Sequence, residues 1–323
     1  MNRSVLLTCL MAFVSFFAHS EVVYVVESYH AEYLWDKSYK KGLEEVLASE
    51  HQLIYFQMDT KRLPESMFQA QADKAWEKYQ QLRPDLVILA DDNALKFLGP
   101  RFLNTSTPVV YLGINANPRK YGVADAANFS GVIERPLLFR SILMLKKFMS
   151  VDRLLILFDS KETSKVIKAD SFYGNDSIII AGTQIDLEFI GSFHRWQQVV
   201  LESEKNGYDA IIVGLYHTLT DSNGQYVDPE DVIEWTSTHT PLPPFGFWDF
   251  SVGMTKNIGG YVIFGYEEGK LAAEIALQML DGKRTQARPM IGGQGRFLFS
   301  KSQLEKWGIS LPPNILNESE LLE

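Results

Sequence analysis

From Glu21 onward, short runs of apolar and β-branched residues alternate with longer amphipathic stretches. Val22–Val26, Leu53–Met58, Leu86–Ala90 and Val109–Gly113 are apolar on both faces, and helical patterns at 35–49, 65–82 and 92–103 separate them. Runs that are apolar throughout, each followed by a helix, predict a parallel sheet covered on both sides. Pro64-Glu65 marks a first helical turn, and Pro84-Asp85 divides a helix from the strand after it.

The alternation then repeats. Leu137–Met149 reads as helix, Arg153–Asp159 as strand and Glu162–Tyr173 as helix. Ile178–Ile180, Ile185–Phe189, Asp209–Gly214 and Phe245–Phe247 read as strands, and Trp196–Asn206 as a helix. Asp228-Pro229-Glu230-Asp231 joins an N-cap, a first-turn proline and acids suited to the positive end of a helix dipole. The Ala- and Leu-rich helix Glu267–Leu280 closes at Asp281-Gly282, with Gly282 the expected C-terminal stop. The pattern predicts an α/β protein of two successive halves. No low-complexity linker separates them, which points to lobes joined by extended segments, a hinge and a cleft between.

The N-terminus changes the picture of where this body resides. Arg3 precedes an apolar run from Val5 to Phe17, and Ala18-His19-Ser20 has the small-x-small form of a cleavage site. That run is too short to cross a bilayer of about 30 Å as a helix, so a cleaved signal peptide over residues 1–20 and a periplasmic location are expected. Cys9 is the chain's one cysteine and leaves with the leader. A body without cysteine forms no disulfide and does no thiolate chemistry, which suits an oxidising compartment. The formal net charge of −9 argues against nucleic acid as a partner, because phosphate binding needs a basic face.

In open parallel sheets, ligands bind beyond the carboxyl ends of the strands. The rule selects Ser28, Tyr29 and His30, with Trp35 beyond them, after the first strand. It selects Asp91, Asp92 and Asn93 after the third and Asn115 after the fourth. In the second half it selects Asp159, Tyr216 with His217, and Trp248 with Asp249. These loops are rich in rings, acids and amides, a composition that builds a pocket rather than a bare turn. Each has a plainer alternative. Asp91 or Asp92 can cap the following helix, and Trp35 can pack on its own helix as core. His30 and His217 read as polar loop residues rather than metal ligands, since zinc needs three or four ligands at workable spacing.

No G-x-S-x-G elbow, H-E-x-x-H or Walker loop occurs, and Gly292-Gly293-Gln294-Gly295 does not fit a dinucleotide loop between strand and helix. A binding protein without cofactor or metal is the economical reading, and an exported hydrolase the poorer one.

The segments "ESYHAEYLWDKSYKKGLEE", "ADDNALKFL" and "GGYVIFGYEEGKLAAEIALQMLDGK", with the tail "RFLFSKSQLEKWGISLPPNIL", resemble the type I periplasmic binding proteins. More narrowly, they are similar to the ABC transporter substrate-binding family of tryptophan/tyrosine type, over residues 22–316. The resemblance implies two Rossmann-like lobes joined by a multi-strand hinge with three crossings. Lobe 1 would span 21–130 plus 259–282, lobe 2 131–258, and 283–323 would form a crossover and C-terminal tail. It implies a monomer that captures a small ligand and delivers it to an ABC permease. The alternative is a periplasmic sensing subunit for a membrane sensor kinase or diguanylate cyclase. Where such proteins bind aromatic amino acids, an acid takes the ammonium and rings stack on the side chain. Asp92 or Asp249 would be that acid here, with Tyr29, Trp35 or Trp248 the rings. No arginine stands in these loops to hold a carboxylate, and the helix amides after Asp92 or Asp159 would have to serve.

Overall fold

The computed structural model of the chain describes residues 20–283, 290–292 and 295–323. The predicted leader lies outside the described residues apart from Ser20, as does the middle of Gly292-Gly293-Gln294-Gly295.

The first lobe opens with β1 (Val22–Glu27), α1 (Leu34–Leu47), β2 (Gln52–Gln57), α2 (Phe68–Leu82), β3 (Leu86–Ala90), α3 (Asp91–Phe102), β4 (Val109–Ile114) and β5 (Phe129–Ile133). The second follows with α4 (Leu138–Leu145), β6 (Arg153–Asp159), α5 (Glu162–Ser171), β7 (Ser177–Ile180), β8 (Thr183–Ile190), α6 (Phe193–Glu202), β9 (Ala210–Val213), α7 (Pro229–His239) and β10 (Pro244–Gly246). The chain ends with β11 (Gly259–Val262), α8 (Gly265–Leu280), β12 (Met290–Ile291), β13 (Arg296–Ser300), α9 (Lys301–Lys306), α10 (Pro313–Leu316) and β14 (Ser319–Leu322).

Sheet one runs β12-β5-β4-β3-β1-β2 with every pairing parallel. Sheet two runs β10-β9-β6-β8-β7 and is parallel except for β7. That exception departs from the expected all-parallel lobe, and its cause is local. Only Ala181-Gly182 joins β7 to β8, both at positive φ (+50° and +80°), a two-residue hairpin that can only reverse the chain. A small third sheet, β11-β13-β14, was not foreseen. Its strands are short, and Gly259 and Gly260 break the apolar pattern that would have revealed one of them.

Helix α8 returns to the first lobe and lies along α1 at very close range. A Cβ at Gly42 would meet the Tyr266 carbonyl at 2.2 Å, and one at Gly269 the Tyr39 carbonyl at 2.0 Å. Only glycine permits that approach. The tail packs instead on the second lobe, where the Gln303 amide on α9 donates to Ser237 Oγ on α7 at 3.1 Å. The chain thus crosses between lobes three times: from β5 to α4, from β11 to α8, and from β12 to β13. In each sheet the strand order reverses beside a central strand, between β1 and β3 and between β6 and β9, so the loops that follow these strands diverge and leave a crevice.

Candidate functional site

The two crevices face each other. Between them lies a narrow cavity lined by Tyr29, Tyr33, Trp35, Lys61, Asp91 and Asn115 of the first lobe. Thr163, Leu215, Trp248 and Phe250 of the second close it, and Glu134 stands at the first crossing. The free space is about 10 Å³, roughly what one water needs, so the cleft is closed. Trp35 and Trp248, each 2% exposed, wall the same cavity from opposite lobes.

Backbone lacing positions the first-lobe wall. Ser28 Oγ donates to the Ala90 carbonyl at 2.6 Å and accepts from Ala94 N at 2.8 Å, tying the end of β1 to the start of α3. Thr60 Oγ1 donates to the Ser28 carbonyl at 2.8 Å and accepts from Asn93 Nδ2 at 2.9 Å, which adds the loop after β2. Tyr29, Lys61 and Asp91 are thereby held side by side. Asp91 takes φ +67°, a left-handed conformation that Asp tolerates better than most residues, and its Oδ2 has no hydrogen-bond partner among the described residues. Burial first, then the charges of Asp36, Glu134 and Asp92, pushes its carboxyl well above the usual range.

Asp92 has a different part. Its two oxygens accept from Asn115 N, Ala116 N and the Tyr121 hydroxyl, each at 3.0 Å, which fastens the loop after β4 onto α3. It does not line the cavity. Asn115 does, held by that carboxylate, and its Nδ2 donates to the Gly113 carbonyl at 3.3 Å.

On the second lobe, Asp159 accepts from Ser164 Oγ at 2.7 Å and from Lys161 N at 3.4 Å, so it anchors the first turn of α5. Asp249 accepts from Phe250 N at 2.9 Å and from Ser38 Oγ of α1 at 3.4 Å, outside the cavity lining. Burial raises its carboxyl to about 6. Trp248 Nε1 donates to Glu134 Oε1 at 2.6 Å. Burial lifts the Glu134 carboxyl to about 8 against the opposing effect of that bond.

Tyr216 is core: it stacks beneath His217 at 4.3 Å and does not reach the cavity. His217 meets Tyr33 edge-on at 4.8 Å and Phe250 at 5.1 Å, so one imidazole bridges the aromatic seam between lobes. Burial first, then Lys61 and Lys256, pushes its pKa well below the ordinary value. His30 lies outside the seam, 3.1 Å from Glu32, in a larger cavity of about 690 Å³ that His217 also borders.

Of the residues selected from strand ends, Tyr29, Trp35, Asp91, Asn115 and Trp248 therefore meet at the cavity. Asn93 and His30 border outer cavities, and Ser28, Asp92, Asp159, Tyr216 and Asp249 act behind the wall. The same rule, extended to the loop after β2 and to Glu134 after β5, would have found Lys61 and Glu134. Tyr33 belongs to the same aromatic loop but is not among the residues selected. Among the described residues no cluster of His, Cys, Asp and Glu could hold a metal ion, and no helix is long and apolar enough to cross a membrane.

No protein-family model matches the sequence, and no curated protein matches it. Solved structures do. The ABC domain from Streptococcus pneumonia in complex with L-Trp superposes with a TM-score of 0.68 at 16% identity, covering 94% of this chain and 100% of that one. A ligand-free, open substrate-binding protein with adhesive properties from Clostridium difficile gives 0.66 at 13% identity, over 94% and 99%. A conserved domain protein from Vibrio cholerae gives 0.65 at 13%, over 94% and 100%. The chain has the type I periplasmic binding protein fold. LacI-family regulators share it more distantly, one from Corynebacterium glutamicum at a TM-score of 0.53 and 14% identity, over 85% and 98%. In this fold the ring-lined cavity lies where the two lobes meet.

Proposed function

We propose that the protein is an exported, monomeric solute-binding protein of the periplasm. It captures a small aromatic or amino-acid-like molecule between its lobes, catalyses nothing, and hands its ligand to an ABC permease. In this reading lobe 1 comprises 21–130 with 259–282 and lobe 2 comprises 131–258, and residues 1–20 direct export. One observation carries it: a small ring-lined cavity is walled from both lobes around the buried Asp91 carboxyl. Rings supply apolar area, and the few polar groups orient the guest.

The physics is differential affinity. Contacts to Trp248 and Phe250 and to Tyr29 and Asp91 exist together only when the lobes are closed, so a ligand that uses both walls shifts the population toward closure. The Streptococcus structure, similar in fold, holds L-Trp, and this supports a ring-bearing guest.

The test is a thermal-shift screen of the protein without its leader against amino acids, amines, nucleosides, sugars and polyamines. A ligand present at about 100 times its Kd adds about 2.7 kcal/mol of stability. A flat response across that library sinks the proposal.

A further inference from the structure

Building on that reading of the cleft as a ligand site, we infer that the natural ligand is an organic amine without a carboxylate, and that the Lys61 ammonium takes the amine's place in the closed cleft. Lys61 Nζ lies 4.4 Å from the Tyr29 ring centroid and 5.2 Å from that of Tyr33. Both distances fall within the range at which a cation is drawn to a ring face. Among the described residues, Lys61 has no ion pair and no hydrogen bond. An ammonium set against two tyrosine rings, within the field of the Asp91 and Asp36 carboxyls but bonded to neither, marks a place built for a cation.

The balance of charge around the cavity points the same way. Asp91 and Glu134 line it, and Lys61 is the one basic residue among its described lining. The nearest guanidinium, Arg135, is engaged elsewhere: its Nη1 donates to the Ile114 carbonyl at 3.1 Å, the Glu134 carbonyl at 2.7 Å and the Asn115 carbonyl. A ligand carboxylate would find Lys61 as its one basic partner in that lining beside two carboxyl groups, whereas a ligand ammonium that takes the place of Lys61 would meet the Tyr29 and Tyr33 rings and the unpartnered Oδ2 of Asp91. A buried charge is tolerated only when it is paired, so with Lys61 swung outward the remaining rings and carboxyls accept a cation and leave an anion without a partner. The strained φ of Asp91 fits a clamp, since such outliers gather at ligand sites.

Lys61 has somewhere to go when displaced. Its side chain also borders the outer cavities of about 690 and 450 Å³, and its flexible stem can carry the charge outward without a backbone change.

Titration calorimetry tests this with decarboxylation pairs: L-tryptophan and tryptamine, L-tyrosine and tyramine, L-ornithine and putrescine. Indole-3-propionate serves as the carboxylate-only control. The protein without its leader and its Lys61→Met variant are titrated at neutral pH. At least one amine is expected to bind about tenfold or more tightly than its parent amino acid, with no binding of indole-3-propionate. Lys61→Met, which removes the internal competitor, should tighten the amine further. An amino acid that binds as well as or better than its amine overturns the inference, as does Lys61→Met weakening the amine, and both leave solute binding intact. A response only to sugars or nucleosides overturns it as well. Silence toward every solute sinks the underlying reading too. The comparison within pairs on the unmutated protein stands even if the variant fails to fold.

Discussion

The first lobe brings a carboxylate, an ammonium, an amide and two phenols to the cavity, whereas the second brings Trp248, Phe250, Leu215 and a single hydroxyl from Thr163. The first wall carries nearly all the chemical discrimination and the second mostly apolar area. Such a division implies an order of events. On the proposed reading a guest docks first on the first lobe, where Ser28, Thr60 and Asn93 hold the loops in place, and the second lobe then folds down as a greasy lid. Mutations on the two walls should therefore fail differently.

The largest effect is expected on the lid. Trp248 is buried, stacks on Phe250 at 6.1 Å and hydrogen-bonds Glu134, so Trp248→Ala removes packing and one hydrogen bond to a buried acid. Stability should drop by about 3–5 kcal/mol in urea denaturation. Affinity for any ligand found should fall by about 1–3 kcal/mol as ring contact is lost. Affinity unchanged in a folded variant would make Trp248 a purely structural residue.

Asp91 should behave in the opposite sense. Asp91→Asn keeps the left-handed backbone accessible and removes a carboxyl that burial disfavours, so stability should hold or rise. Loss of the charge should weaken an ammonium-bearing ligand about a hundredfold, near 3 kcal/mol. Calorimetry beside a melting curve separates the two readouts. A less stable variant with full affinity would erase the contrast between walls.

Glu134, at the crossing, belongs to neither wall and gives the contrast a pH dependence. It is faced by Asp91, Asp92, Glu268, Arg135, Asn115, Tyr33 and the Trp248 indole. Burial pushes its carboxyl up to about 8, from an ordinary value of 4.5. The folded state thus holds more protons between those values, and this group makes stability fall as pH rises through that window. Glu134→Gln, which keeps an acceptor for Trp248, should remove about 2 kcal/mol of the decline between pH 5 and 7, read from urea midpoints. An identical slope in the variant would assign the decline to other buried acids.

Much of this was readable from the sequence because its two main signals are one-dimensional. Apolar runs such as Leu86–Ala90 and helix signals such as Asp228-Pro229 register locally, and Asp228 does accept from Glu230 N at 2.9 Å. Strand-end reasoning reached Tyr29, Trp35, Asp91, Asn115 and Trp248 for the same reason. What it could not supply is direction. Asp91 and Asp92 are adjacent and chemically identical, yet a left-handed turn at Asp91 leaves one carboxylate at the cavity and sends the other to the amides of Asn115 and Ala116. Lys61 was missed because a lysine after an edge strand looks like solvated surface. Its burial depends on Tyr29 and Tyr33, brought to it from another strand end.

The smallest expected effect tests a polar contact between the two walls of the cavity. Thr163 Oγ1 on α5 lies 3.4 Å from the Tyr29 hydroxyl, a long bond between neutral groups. Such a bond contributes about 0.5–1 kcal/mol, and it exists only when the lobes are closed. Thr163→Val keeps the shape and deletes the hydroxyl, so the closed form should lose that much relative to the open one. Small-angle scattering should then show a more extended ligand-free population, with ligand affinity reduced no more than about fivefold. Tyr29→Phe, which deletes the other hydroxyl, should match it, and the double variant should add little, because both changes break one bond. A double variant whose losses simply add would mean the two hydroxyls work apart, and that this pair does not act as one link across the cleft.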